Sequence, residues 1–390
     1  MPESNQNRST LIYSGTDNLR LQVVLATLTQ RTLEIREIRP NAEDPGISDF
    51  EANFLRLMQQ LCSGCEISIS ETGTEVSYMP GLLQGGSLSF DCGLDRCMSY
   101  YLEPLLYLAP FTKQPLRIRL RGITNHQREL SVDHLKFAWL PVMRKFLPPS
   151  AQEGLELKIT RRGLPPSGGG VVELTAPSCK QLKSVQWAEV GLVQKIRGTA
   201  FVCKTSPLLG NRMIESAKSI LRQLLTDVYV YCEQCKGAVA GNCPGFGLVL
   251  YAETTEGTIY SAEALSRPSG SADDPLTPEQ VGSEAANQLL REIYSGGCVD
   301  SSALSLALLW MALGPKDVSR LHSCMLTNYS VQCLRLIKDF CHVTFKIDPL
   351  NDQTAETDSD ESGLPRKTKM ADLCLTCVGA GFSNLSKPMI

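Results

Sequence analysis

The sequence predicts an α+β fold: a large body of layered helices and sheets, with a smaller α+β domain inserted into it. Two observations predict this. One local pattern recurs along the chain: an amphipathic helix, a short polar turn, then a strand whose residues alternate between apolar and polar. That pattern breaks near Ser184 and returns only after the flexible Gly/Pro/Ser-containing stretch Ser266–Pro275.

In chain order, the helix Leu19–Leu28 leads to the strand Leu33–Ile38, and Phe50–Leu61 leads to Glu66–Ser70. Tyr101–Leu108 leads to Leu116–Leu120, and His134–Phe146 leads to Leu155–Ile159. Alternation with period two means that each sheet has one buried and one wet face. Helices laid over the apolar faces close the layers. Residues 1–184 are thus the first part of the body. Residues 185–275 read as the inserted domain, with a helix Leu208–Leu225 and strands Asp227–Tyr231 and Phe246–Thr254. Residues 276–390 complete the body. They open on a helix start with Thr277 as N-cap, Pro278 at the first helical position and Gln280 closing a capping box. Asp300-Ser301-Ser302 then reads as the cap of a buried apolar helix, Ala303–Leu313. Residues 351–370 are polar, first acidic and then basic, and read as a disordered loop. The run Pro365–Lys369 within it reads as a solvated charge cluster rather than a nuclear-import signal.

Apolar content of 43% and charged content of 20% are those of an ordinary soluble protein. A net charge of −3 excludes wholesale charge-driven binding to nucleic acid, so any RNA contact needs a local basic patch. Met1–Thr10 has no apolar signal segment, and Ala303–Leu313 is too short to cross a bilayer. No membrane association is expected. The 15 cysteines include the pairs Cys62/Cys65, Cys232/Cys235 and Cys374/Cys377. These lie far apart in sequence and read as reduced core thiols rather than a zinc site. No metal site and no cofactor are expected.

Phosphate-loop, metalloprotease and nucleophile-elbow signatures are absent, and none of the four histidines (His126, His134, His322 and His342) stands in a catalytic context. Two basic features stand out. Arg161-Arg162-Gly163-Leu164-Pro165-Pro166-Ser167-Gly168-Gly169-Gly170 is either a tight turn or a loop whose amides approach an anion. Arg117, Arg119 and Arg121 alternate along one strand and share a face, which is either simply solvated or a phosphate-binding patch. Lys158, Arg161 and Arg162 are expected on a strand pairing beside it.

The segment Gly296–Leu306 closely resembles the one that carries the catalytic histidine of the RNA 3'-terminal phosphate cyclase family. The Arg161–Gly170 loop, Tyr78–Gly81, Pro244–Leu248 and Val378–Leu385 resemble that family too, so the likeness spans about Leu11 to Leu385. It implies repeated βαββ-type units with an inserted domain. It also implies that the Arg161–Gly170 loop lines the active-site cleft, with Arg161, Arg162, Gly168, Gly169 and Gly170 facing an anion or RNA.

In the cyclases the histidine takes AMP from ATP; here Ser302 stands at that position. A glycine-rich N-terminal loop of the family is also replaced, by Ser14–Arg20 with its single glycine. The resemblance therefore points to the non-catalytic branch of the family. What that implies is a nuclear, nucleolar scaffold in small-subunit (18S) pre-rRNA processing, working with a ribosome-biogenesis GTPase, pre-rRNA and small nucleolar RNP components. The alternative it leaves open is a pre-rRNA endonuclease.

Overall fold

A computed structural model describes residues 10–268, 274–324, 326–350 and 372–384. The expected loop at 351–370, including Pro365–Lys369, lies outside the described residues.

Three sheets of the body repeat one topology. In the first unit the strands Leu11–Ser14 and Leu33–Arg36 are parallel, joined by the helix Leu19–Thr29. After the helix Asp49–Leu61 come Glu66–Ile69 and Val76–Met79, and the later strand inserts between the earlier one and Leu33–Arg36. The second unit repeats this with strands Gly86–Asp91, Leu116–Gly122, Glu156–Arg161 and Gly170–Ala176. The third repeats it with Gln186–Trp187, Val318–Ser323, Lys346–Leu350 and Asp372–Val378. Each unit is therefore a βαββ element preceded by a further strand and helix, in an α+β body. A parallel neighbour needs a crossover, which is why a helix follows the first strand of each unit.

That first helix is the buried one. Every residue of Leu304–Leu313 is buried, so it carries no polar stripe. The second helix of a unit is amphipathic: Asp49–Leu61 buries Phe54, Leu55, Met58 and Leu61 and starts with a capping box between Ser48 and Glu51.

Between Gln186–Trp187 and Leu304–Leu313 lies the insert. Its strands Val193–Cys203, Val228–Cys235, Gly245–Thr254 and Ile259–Leu265 form one sheet. The helices Pro207–Leu221 and Pro278–Ser295 cover one face of that sheet. The boundaries expected at 185 and 275 are both corrected. Val185 and Trp187 pack in the core of the body, whereas Val281, Ala285, Ala286 and Leu289 of Pro278–Ser295 pack in the core of the insert. The Thr277/Gln280 capping box is present, but the helix it starts completes the insert. Among the described residues no helix is long and apolar enough to cross a membrane, and Cys62, Cys65, Cys232, Cys235, Cys374 and Cys377 are free thiols.

Candidate functional site

The repeat places the N-terminal ends of the three buried helices side by side. Thr16–Leu21 before and in the first, Arg96, Ser99, Tyr100 and Glu103 before and in the second, and Ser301 and Ser302 before the third line one cleft of about 630 Å³. Helix N-termini carry partial positive charge and free amides, which suit an anion.

Three of the cleft's arginines are already partnered. Arg20 meets Glu103 at 2.5 Å and lies 4.3 Å over the Tyr100 ring. Glu103 also accepts from Tyr329 at 2.7 Å and Tyr107 at 3.1 Å. Arg39 pairs with Glu51, and Arg96 pairs with Glu129 at 2.5 Å. Burial works against the Arg20 charge, but Glu103 outweighs it and holds the guanidinium protonated. Arg128 adds a further exposed cation to the lining.

Ser302 sits at the back of the cleft in a closed hydrogen-bond set. Its hydroxyl donates to Asp300 Oδ1 at 2.5 Å. It accepts from Trp139 Nε1 at 3.3 Å and lies 2.7 Å from His134 Nε2. The assignment that satisfies all partners has His134 donating through Nε2. Asp300 also accepts from the amides of Ser302 (2.9 Å) and Ser261 (2.8 Å), the second reaching into the insert. Three polar side chains thus meet, but not as a catalytic relay. In a Ser-His-Asp triad the carboxylate holds Nδ1 and the serine holds Nε2. Here Asp300 lies 3.5 Å from Nε2 as well, and Nδ1 has no partner. With both lone pairs of Ser302 Oγ engaged and its proton on a carboxylate, the oxygen is a poor nucleophile.

Three features of this site went unread in the sequence. His134, taken as an ordinary core or surface histidine, comes to Ser302 from 168 residues away. Its segment is interrupted by a π-helical turn, Leu135–Trp139, which aims Trp139 at Ser302. Such turns concentrate at functional sites but leave no mark in the apolar pattern. Asp300 and Ser302 precede the helix, but Ala303 is its cap residue and makes no side-chain cap.

Burial lowers the affinity of His134 for a proton, but the hydrogen bond and charge of Asp300 outweigh it and raise the pKa above its ordinary 6.5. Burial likewise pushes Asp300 up, and His134 outweighs it to hold the carboxyl below its usual range. The His134 contribution to stability is full below 6.5 and is lost as pH rises through the higher folded value. The Asp300 contribution is lost in acid, as pH falls through its lowered value. Thermal melts of the wild type and His134→Gln should therefore converge as pH is raised above about 6.5. A gap that widens with pH would show His134 to be neutral.

The sequence-predicted anion residues lie elsewhere. Arg161, Gly169 and Gly170 meet Arg119 and Arg121 around a separate depression of about 470 Å³, with Asp91 beside Arg121. The loop does not line the cleft. Arg162 is removed from the set altogether. It is 4% exposed, bound to Asp133 at 2.5 Å and to Glu233 at 2.8 Å, with its guanidinium 4.1 Å over the Phe201 ring.

The glycines answer to packing. The Gly168 amide already donates to Leu164 at 2.9 Å. A Cβ on Gly169 would meet Asn242 of the insert at 2.8 Å, and one on Gly170 would meet Thr124 at 2.8 Å. The basic strand Leu116–Gly122 does expose Arg117, Arg119 and Arg121 on one face. The expected pairing beside Glu156–Arg161 is corrected, however, because Gly170–Ala176 lies between them and sets Glu173 opposite Arg119. That pair is exposed and 3.8 Å apart, so it only dilutes the patch.

Residues 11–347 match the family model of RNA 3'-terminal phosphate cyclase. The chain is 46% identical to the human RNA 3'-terminal phosphate cyclase-like protein, over 97% of its own length and 98% of the relative's. It is 45% identical to a Caenorhabditis elegans protein named as a probable RNA 3'-terminal phosphate cyclase-like protein, over 98% and 99%. It is 35% identical to a Schizosaccharomyces pombe protein named rRNA processing protein rcl1, over 96% and 97%. The repeated units, the inserted domain and these likenesses along nearly the whole length agree: the chain belongs to the RNA 3'-terminal phosphate cyclase family and groups there with the cyclase-like proteins.

Proposed function

We propose that the chain is a non-catalytic factor of small-subunit (18S) pre-rRNA processing. It acts in the nucleus and nucleolus as a scaffold that holds a ribosome-biogenesis GTPase against pre-rRNA and small nucleolar RNP components. The observation that carries this is Ser302 at the position of the family's histidine, with its hydroxyl held by Asp300, His134 and Trp139. In the cleft around it Arg20, Arg39 and Arg96 are neutralised by Glu103, Glu51 and Glu129. The name of the fission-yeast relative supports the RNA-processing part.

Cells depleted of the protein and supplied with Ser302→Ala should make 18S rRNA as they do with the wild type. Purified protein should leave a pre-rRNA fragment uncut. Cleavage by the purified wild type, abolished by a cleft substitution that spares assembly, would replace the scaffold with the endonuclease alternative. Arg117→Glu with Arg119→Glu should weaken association with the GTPase or with RNA. The melting temperature should hardly change, since exposed charges contribute little to stability.

A further inference from the structure

Both helices of the insert cover one face of its sheet, and the other face is divided. At one end it is packed under the body, where Phe201 lies beneath Arg162 and Glu233 pairs with it. At the other end it is open. Tyr229 and Tyr231 are 62% and 50% exposed on the edge strand Val228–Cys235, while Val228 and Val230, which alternate with them, enter the core. The strand register sets Arg197 between Tyr229 and Tyr251, and Tyr251 stacks on Phe137 of the body with ring centres 4.6 Å apart.

Beside Tyr251 runs a groove of about 290 Å³ whose body wall carries Lys136, Arg144 and Lys158 against one carboxylate, Glu156. Lys158 stands on Glu156–Arg161, the strand that also delivers Arg161 to the depression with Arg119 and Arg121. The cations of the sheet itself are spent: Arg197 is held by Asp227 at 2.9 Å and Lys195 by Glu253 at 2.9 Å.

The open tyrosine face therefore leads, across Arg197 to Tyr251, into a groove lined by cations. Residues two apart on a strand are roughly 7 Å apart, so each tyrosine ring can take its own base. A protein partner gains most from aromatics sunk in a desolvated pocket. Open rings backed by cations suit stacked bases and a phosphate chain instead.

We propose that this open sheet face and the groove beside it bind single-stranded RNA, with bases stacked on Tyr229 and Tyr231 and phosphates along Lys136, Arg144 and Lys158. The ligand class rests on the RNA role proposed above.

The test uses the intact chain and a fluorescein-labelled unstructured oligopyrimidine RNA of about twelve nucleotides, by anisotropy over a range of salt. Tyr229→Ala with Tyr231→Ala should weaken binding at least about 10-fold and leave the salt slope unchanged. Lys136→Ala with Lys158→Ala should lower the slope by about 0.7 per residue. Neither should shift the melting temperature, because the side chains changed are exposed. Wild-type affinity in the tyrosine variant overturns the site. If that RNA affinity is instead lost in Arg119→Ala with Arg121→Ala, the RNA role stands and this groove falls. No binding by the wild type overturns both. Displacement of the RNA by a poly-glutamate peptide at equal charge concentration overturns the site in favour of an acidic protein segment.

Discussion

Arg162→Ala lowers the unfolding free energy by about 3–5 kcal/mol, read from urea or thermal denaturation, because it leaves a buried charge without its partner. Asp133 is 4% exposed. Burial alone pushes its carboxyl up, and the Arg162 guanidinium outweighs that to hold it ionised and below the usual range. Without Arg162, Asp133 keeps only Asn125 as a side-chain donor, at 3.0 Å. Glu233, half-exposed, loses its tie across the junction of body and insert, and the Phe201 ring loses its cover. Arg162→Lys should rescue little. A guanidinium reaches Asp133 and Glu233 with separate nitrogens while lying flat on a ring, and an ammonium does not. The neighbouring Arg161→Ala should cost no more than about 0.5 kcal/mol, since its side chain is exposed and donates to a carbonyl, that of Ala238. Equal stability of the two alanine variants would show that the pairing around Arg162 contributes nothing.

Incubation with labelled ATP and divalent metal should leave no AMP on the protein, an all-or-none contrast with an adenylylating relative. Transfer of AMP to a side chain needs a free lone pair at the attacking atom and a base to take its proton. Ser302 Oγ has its proton on Asp300 and its lone pairs facing Trp139 and His134, two N–H donors. Ser302→His should not restore the reaction. The site behind Ser302 is filled by Asp300, His134 and Trp139, and Arg20, Arg39 and Arg96 are bound to glutamates. The N-terminal loop Ser14–Arg20 also offers only Gly15, not a glycine-rich cradle. A stoichiometric adduct on the wild-type chain would end the non-catalytic proposal.

The helix–strand units were legible because each is local. Period-two runs such as Leu116–Gly122 and apolar helices such as Leu304–Leu313 declare their burial in their own spacing. The helix start at Thr277-Pro278 was legible for the same reason. Its owner was not. The helix Pro278–Ser295 has one apolar stripe, and that stripe fits either core until the partner surface is known.

The same division holds for the site. Sequence by itself determined which residue types were present: a serine where the family has histidine, arginines alternating on a strand, and glycines in a loop. Only the tertiary structure decided which of those charges are free. Arg161 and Arg162 are neighbours in sequence, yet one is exposed at a depression and the other is buried between Asp133 and Glu233. His134 and Ser302 are 168 residues apart, yet lie within hydrogen-bond distance. The physical reason is that backbone periodicity is set by a residue's own neighbours in the chain, whereas the charge state and reach of a side chain are set by what packs against it. For Ser302 that packing is supplied by a different unit, and for Arg162 in part by the insert.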